Sequence, residues 1–231
     1  MRDVADVTVI GVDCVDIDRL IRAAEITTTD LRFGAVRLLS SHASDHPWVV
    51  AIDHLGDIEA YNDFIVGRLH RYVDTPLALV IQHDGFVLNA DAWSDEFRDW
   101  DYIGAPWAVD GARVVGNGGF SLRSKRLLER LAQPDITRPA GVPEDWFICV
   151  ELREILERDG LRFAPPELAH RFSFEGDPAF GPTWQGQFGF HGLTWTDISA
   201  WLREHPNSGI VNDLDDETRC LLQEQGPLPD G

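Results

Sequence analysis

Apolar positions along this chain switch repeatedly between two spacings. VTVIGV, residues 7–12, is a β-branched run with no polar side chain except Thr8, the pattern of a strand covered on both faces. DIDRLIRAAEIT then places Ile17, Leu20, Ile21, Ala24 and Ile26 near helical spacing behind Asp16, a suitable cap. FGAVRLLSS reads as a second strand, IEAYNDFIVGRLHRYV as a second helix and PLALVIQ as a third strand. Strand, helix, strand, helix, strand predicts an α/β fold with a mostly parallel sheet and helices on its faces. In such sheets ligands bind beyond the carboxyl ends of the strands, where Gln82, His83 and Asp84 fall.

Beyond Trp93 the texture changes. DWDYIGAPW is aromatic and turn-rich, and VVGNGGFSLRS reads as a glycine-rich loop opening a helix near Ser121 that SKRLLERLA continues. PEDWFICVELREILERDG predicts one helix, with acids in its first turn, apolar Phe147, Ile148, Leu152, Ile155 and Leu156, and Gly160 to end it. From Glu204 onward the chain is acidic and punctuated by Pro and Gly. The expected division is a single domain over 1–203 and an acidic, partly mobile tail over 204–231. No internal repeat is visible.

Composition narrows the partners. With 231 residues, 44% of them hydrophobic, the chain can bury one generous core. Its 39 acidic and 20 basic residues give a net charge of −19, with Lys125 the single lysine, which argues against nucleic acid or an anionic membrane as a partner. A phosphate-bearing ligand has to be met locally, by a metal ion, a few arginines or helix N-termini. Cys14, Cys149 and Cys220 fit neither a zinc pattern nor a disulfide framework, so a reducing cytoplasm is expected. No charged-then-apolar leader opens the chain, and no apolar run approaches the ~18 residues of a membrane span.

Four short segments carry candidate chemistry, each with an ordinary structural counterpart. Asp84 either accepts backbone N–H groups in a turn completed by Gly85 or holds a hard cation, since Mg²⁺ and Mn²⁺ favour oxygen ligands. Gly116-Asn117-Gly118-Gly119 is either a tight turn or a place where a ligand comes close to backbone; it is not the dinucleotide fingerprint. Pro143-Glu144-Asp145 is ordinary helix-start chemistry, and equally a carboxylate kept ionised for general-base work. His191 in FGFHG is either structural or a metal ligand.

The order of the four, a strand-end acid, a glycine loop, an acidic pair and a late histidine, resembles the GT-A glycosyltransferase fold. There a D-x-D motif, a glycine loop, an x-E-D motif and a C-terminal histidine follow one another. More closely, the chain resembles a bacterial domain-of-unknown-function family with Q-x-D-G-F, D-Y-I-G-A-P-W and G-N-G-G-F-S-L-R segments. These stand here as Gln82 to Phe86, Asp101 to Trp107 and Gly116 to Arg123. Glu144-Asp145, RFAPPELAHRFSFE and FGFHG complete a likeness that runs from residue 6 to residue 195.

The resemblance implies a glycosyltransferase that moves a sugar from a nucleoside-diphosphate sugar, a UDP-sugar by expectation, to an acceptor hydroxyl. Asp84 would bind a divalent metal, Mn²⁺ or Mg²⁺, with His191 as second ligand or phosphate contact. Gln82 replaces the first motif acid and adds no charge, but its amide can reach a ribose; His83 lies beside it on the donor side. Gly118 and Gly119 would let sugar or acceptor approach the backbone, and the backbone of Val12 or the side chain of Asp13 would meet base or ribose. Asp145 matches the base, with Glu144 orienting it or touching the donor sugar. Single displacement with inversion follows. Trp107, Trp146 and Trp195 can form a stacking platform for a carbohydrate, lipid-linked or peptide acceptor, or pack as core and rim, the reading favoured for Trp146. Bacterial enzymes of the kind the resemblance implies commonly build surface polysaccharides or modify lipid or peptide acceptors. Two other classes stand beside this one: a non-catalytic nucleotide- or carbohydrate-binding module, and a metal-dependent nucleotidyltransferase or phosphohydrolase.

Overall fold

The computed structural model describes residues 1–176, 181–214, 218–220 and 223. Strand β1 (Arg2–Val12) runs through the middle, with every residue from Val7 to Val12 buried. Its side chains alternate between two cores: Val7 and Val9 face the larger, Ile10 and Val12 the smaller. Helix α1 (Ile17–Thr28) begins where the Asp16 carboxylate accepts the Asp18 N–H, and it covers the larger core through Leu20, Ala23 and Ala24. Strands β2 (Leu31–Ser40) and β3 (Val49–Ala51) extend the sheet in parallel on one side. Helix α2 (Ile58–Gly67), capped by Asp57, closes the smaller core through Phe64 and Ile65. Strand β4 (Leu77–Val80) pairs in parallel with the other side of β1, Leu79 opposite Val9.

The second half adds β5 (Tyr102–Gly104), the hairpin of β6 (Pro106–Val109) and β7 (Ala112–Val115), and β8 (Ser121–Ser124). Asp110 and Gly111, both at positive φ, make the two-residue turn of that hairpin. Helices α3 (Lys125–Leu131), α4 (Glu144–Trp146), α5 (Arg153–Arg158) and α6 (Pro166–Phe172) follow. Short strands β9 (Ser173–Phe174) and β10 (Gly189–Phe190) then pair in parallel, and α7 (Ser199–Glu204) and α8 (Ile210–Asp213) come last. The main sheet runs β3-β2-β1-β4-β8-β5, with β8 antiparallel to both neighbours and every other pairing parallel. The expected mixed α/β architecture, one domain with a mostly parallel sheet flanked by helices, is the one the chain adopts. No helix among the described residues is long and apolar enough to cross a membrane.

Two local expectations are corrected. The glycine loop runs into strand β8, not into a helix; the helix begins only at Lys125, where the Ser124 hydroxyl accepts the Leu127 N–H. The reason is that Arg123 is buried: it makes a central strand look like an exposed helix start. The helix expected over 144–158 is broken by a π-helical turn at Phe147–Glu151, between α4 and α5. Of the residues assigned to the tail, Ile210, Val211 and Leu214 are buried in the larger core, whereas 215–217, 221–222 and 224–231 lie outside the described residues.

Candidate functional site

At the carboxyl end of β4 the chain reverses within two residues. Gln82 N–H donates to the Gly85 carbonyl at 2.9 Å and Gly85 N–H to the Gln82 carbonyl at 3.1 Å, which puts His83 and Asp84 at the tip. The turn is pinned from outside, because Gly192 N–H donates to the Asp84 carbonyl at 2.8 Å. Asp84 and His191, 107 residues apart in sequence, therefore meet, with Asp84 Oδ1 at 3.8 Å from His191 Nε2. His83 Nδ1 lies 3.7 Å from the same oxygen, and burial holds its pKa below the ordinary imidazole value.

His191 is the hub. Its Nε2 lies 3.1 Å from Gln82 Oε1, and its Nδ1 lies 3.1 Å from Glu175 Oε1 and 2.8 Å from Asn117 Nδ2. Nδ1 cannot donate to Glu175 while accepting from Asn117. With a partly buried carboxylate in reach the proton belongs on Nδ1, and the Asn117 amide serves Glu175 instead. Burial works against charge on His191, but the Glu175 hydrogen bond and the nearby Asp84 and Asp145 carboxylates outweigh it and raise its pKa. Burial likewise pushes Glu175 up, and the hydrogen bonds from His191, Trp107 and Asn117 bring it below the usual carboxylate range.

The glycine loop serves this arrangement. Asn117 sits at φ 52°, in the left-handed region that asparagine tolerates, and its carbonyl accepts the Tyr102 hydroxyl at 2.8 Å. A Cβ on Gly119 would fall 2.0 Å from His191 Nε2, and one on Gly118 would fall 2.1 Å from Glu144 Oε1. The room left by the two glycines is taken by this chain's own side chains.

Glu144 is buried and forked by Arg123 at 2.8 and 2.9 Å. Arg123 is fully buried and also donates to Ser121 Oγ and the Gly118 carbonyl. Burial works against its charge, but the Glu144 carboxylate overcomes this and raises its pKa. Asp145, next along, is half-buried and turned to the opening: Oδ2 accepts Gly118 N–H at 2.9 Å and Oδ1 accepts Trp146 N–H at 2.8 Å. The short helix start thus delivers one acid inward to Arg123 and the next outward.

Two openings flank the hub. One of about 320 Å³ lies at the ends of β1 and β4 and is lined by Val12, Asp13, Gln82, His83, Arg19 and Tyr61. Asp13 is occupied structurally: it accepts from Val15 N–H and Asp16 N–H and holds Arg19 Nε at 2.7 Å, so Arg19 is the cation it presents there. The second, about 650 Å³, lies between Trp107, Trp146, Asp145 and Glu175. The two indoles stack with centroids 6.3 Å apart and planes at 26°. Trp146 is 38% exposed, whereas Trp195, 62% exposed, packs beside Gly192 and does not line this cleft.

Asp84 Oδ1 is buried with no hydrogen-bond partner. An orphaned carboxylate oxygen beside an imidazole nitrogen suits a divalent cation such as Mn²⁺, to which Asp84 and, once its Nε2 gives up its proton and its contact with Gln82, His191 would contribute one ligand each. Among the described residues no group of three or more His, Cys, Asp or Glu side chains forms a metal site, so most of the coordination would come from a bound ligand and water.

Sequence reasoning missed Glu175, Asn117, Arg123, Arg19 and Tyr61. Arg123, Asn117 and Glu175 stand inside segments already singled out (GNGGFSLR and RFAPPELAHRFSFE), but position within a motif does not reveal which member turns inward. Asp101 of DYIGAPW serves the scaffold, since it is buried and accepts from Ser124, Arg126 and Arg162 N–H.

A family model described as "Protein of unknown function (DUF5672)" matches residues 49–191. Among curated proteins none matches the chain by sequence. Among solved structures, the mannosyltransferase PcManGT from Pyrobaculum calidifontis, in complex with GDP-Man and Mn²⁺, aligns at TM-score 0.46 and 16% identity over 71% of this chain. The chain spans about half of that protein, 55%. The galactosyltransferase LgtC, in complex with donor and acceptor sugar analogs, aligns at TM-score 0.46 and 15% identity, covering 92% of this chain and 99% of its own. A197 from STIV aligns at TM-score 0.34 and 14% identity over 64% of this chain and 75% of its own.

Proposed function

Because the chain belongs to the family described as "Protein of unknown function (DUF5672)", its activity has to be read from its site, and we propose that it is a metal-assisted glycosyltransferase of GT-A type. The donor is a nucleoside-diphosphate sugar, a UDP-sugar in the simplest case, and the acceptor is a hydroxyl of a carbohydrate, lipid-linked or peptide substrate.

One observation carries this reading: the buried, unpartnered Asp84 Oδ1 faces His191, and His191 is hydrogen-bonded to one residue of each opening, Gln82 and Glu175. A donor with its nucleoside over Val12 and its diphosphate toward Arg19, Asp84 and His191 brings its sugar toward the tryptophan-lined cleft. The bound cation supplies charge neutralisation for the leaving diphosphate, which a protein of net charge −19 needs. Asp145 takes the acceptor hydroxyl proton as that oxygen attacks the anomeric carbon; the bond to the diphosphate breaks and the configuration inverts. The Gly118 and Trp146 N–H groups keep the Asp145 carboxylate aimed.

The test is a thermal-stability screen with nucleoside diphosphates, with and without Mn²⁺ or Mg²⁺, beside product analysis with nucleotide sugars. A cation-dependent rise in Tm with one nucleotide, and release of the nucleoside diphosphate on turnover, support the reading. No shift with any nucleotide overturns it in favour of a binding module, and release of phosphate or pyrophosphate overturns it in favour of a phosphohydrolase or nucleotidyltransferase.

A further inference from the structure

Glu175 has no part in the chemistry just described, yet it is the most committed carboxylate near the site. Its Oε1 meets His191 Nδ1 at 3.1 Å and its Oε2 accepts the Trp107 indole N–H at 3.0 Å. Trp107 lines the larger cleft and stacks on Trp146. From His191 the chain of contacts continues through Gln82 Oε1 at 3.1 Å to Tyr61, whose hydroxyl accepts from Gln82 Nε2 at 2.8 Å, and Tyr61 lines the other opening. A line of partly buried hydrogen bonds thus joins the two openings, and Glu175 is its one carboxylate.

We propose that Glu175 is a positioning residue that couples the tryptophan-lined cleft to the Asp84–His191 pair. This rests on the transferase reading given above. The physical argument is one of geometry. An imidazole free to turn about its Cβ–Cγ bond presents Nε2 in many directions; a hydrogen bond from Nδ1 to a fixed carboxylate leaves one. That carboxylate is fixed in turn by the Trp107 indole, because a carboxylate held at both oxygens cannot rotate. A ligand that moves Trp107 therefore moves Glu175, and with it the direction of His191 Nε2 relative to Asp84 Oδ1. Filling the cleft and binding at Asp84–His191 become linked events without any contact between the two ligands.

Two substitutions separate this from a merely structural role. Glu175→Gln keeps the shape but offers one acceptor and one donor, so it cannot accept from both His191 and Trp107. Trp107→Phe keeps an aromatic ring facing Trp146 and removes the N–H together with the five-membered part of the indole. Mn²⁺ affinity of the full chain is measured by titration without nucleotide or acceptor, and the ring ¹⁵N signals of His191, assigned through His191→Gln, are recorded without metal. Glu175→Gln is expected to weaken Mn²⁺ binding about 10–100-fold, the usual effect of losing a carboxylate behind a ligating histidine. Trp107→Phe is expected to weaken it about threefold, although Trp107 is neither of the two proposed ligands. Both should shift the His191 ring signals, and the double variant should be no weaker than Glu175→Gln alone.

Unchanged affinity in Glu175→Gln, or effects of the two substitutions that simply add, overturn the coupling. If the wild-type chain binds no Mn²⁺, the metal part of the transferase reading fails on its own. The His191 signals then decide the present inference, and signals unmoved by either substitution sink it. Near-ultraviolet circular dichroism and Tm identify a variant that fails to fold; in that case Trp107→Phe, with an intact carboxylate, carries the test.

Discussion

Asp145 Oδ2 accepts the backbone N–H of Gly118 at 2.9 Å, so the outward acid of the short helix start is locked to the glycine loop. The carboxylate held in this way is the proposed base, and an amide in its place cannot take up the acceptor proton, which is the basis of the first prediction. Asp145→Asn is expected to lower kcat by about 10²–10⁴-fold, the usual worth of a general base, with nucleotide binding kept. Single-turnover kinetics beside a nucleotide titration check both halves, and near wild-type turnover removes the base assignment.

Asp84→Ala is expected to abolish the Mn²⁺-dependent part of the nucleotide-induced Tm shift. The residual shift should match that of wild type with chelator present. Because Asp84 Oδ1 has no hydrogen-bond partner to lose, the apo variant should melt at or slightly above the wild-type temperature. A drop of several degrees in the apo protein would instead mark Asp84 as a structural turn residue.

Gly119→Ala places a methyl where His191 Nε2 now lies, 2.0 Å from the ideal Cβ position. Relief requires the imidazole to swing away, at a cost of about 1–3 kcal/mol typical of overpacking. Far-ultraviolet circular dichroism should be unchanged while metal-dependent nucleotide binding is lost. Retained binding would show that His191 is dispensable to it.

Arg123→Met breaks a fully buried bidentate pair and leaves Glu144 uncompensated. The expected loss is about 3–5 kcal/mol in urea unfolding. Arg123→Lys should be nearly as damaging, because an ammonium cannot fork to Glu144 while also reaching Ser121 and the Gly118 carbonyl. A double Arg123→Met, Glu144→Gln variant that recovers part of the loss supports the charge argument; one that recovers none points to packing.

Asp101 provides a pH-dependent readout away from the site. Burial alone would push its carboxyl up, but Arg126, Ser124 and the Arg162 N–H outweigh that and hold it below the usual range. A depressed folded-state pKa contributes stability that is present above the unfolded value of about 3.9 and is lost as pH falls through the folded value. Asp101→Asn should therefore cost about 2–3 kcal/mol near pH 7, with the gap to wild type closing below about pH 4. A gap independent of pH would show that shape, not charge, is what Asp101 contributes.

The alternation of Val7 to Val12, the helical spacing behind Asp16 and the apolar run of β4 are local patterns, so the α/β class and the strand-end position of Asp84 could be read directly from them. Burial on two faces leaves a composition signal that needs no partner to recognise. The same local reading failed at β8, where a strand of four buried residues contains Arg123. A buried guanidinium is explicable only through its partner, and Glu144 is 21 residues away. The site follows the same division. The sequence by itself determined which residue types are present, an acid at a strand end, a glycine loop, an acidic pair and a late histidine. Only the tertiary structure decided that Glu144 turns inward while Asp145 turns outward, that the space above Gly118 and Gly119 is filled from within, and that Glu175 stands behind His191. Those outcomes depend on side-chain direction and on contacts between distant segments, and hydrophobic periodicity carries information about neither.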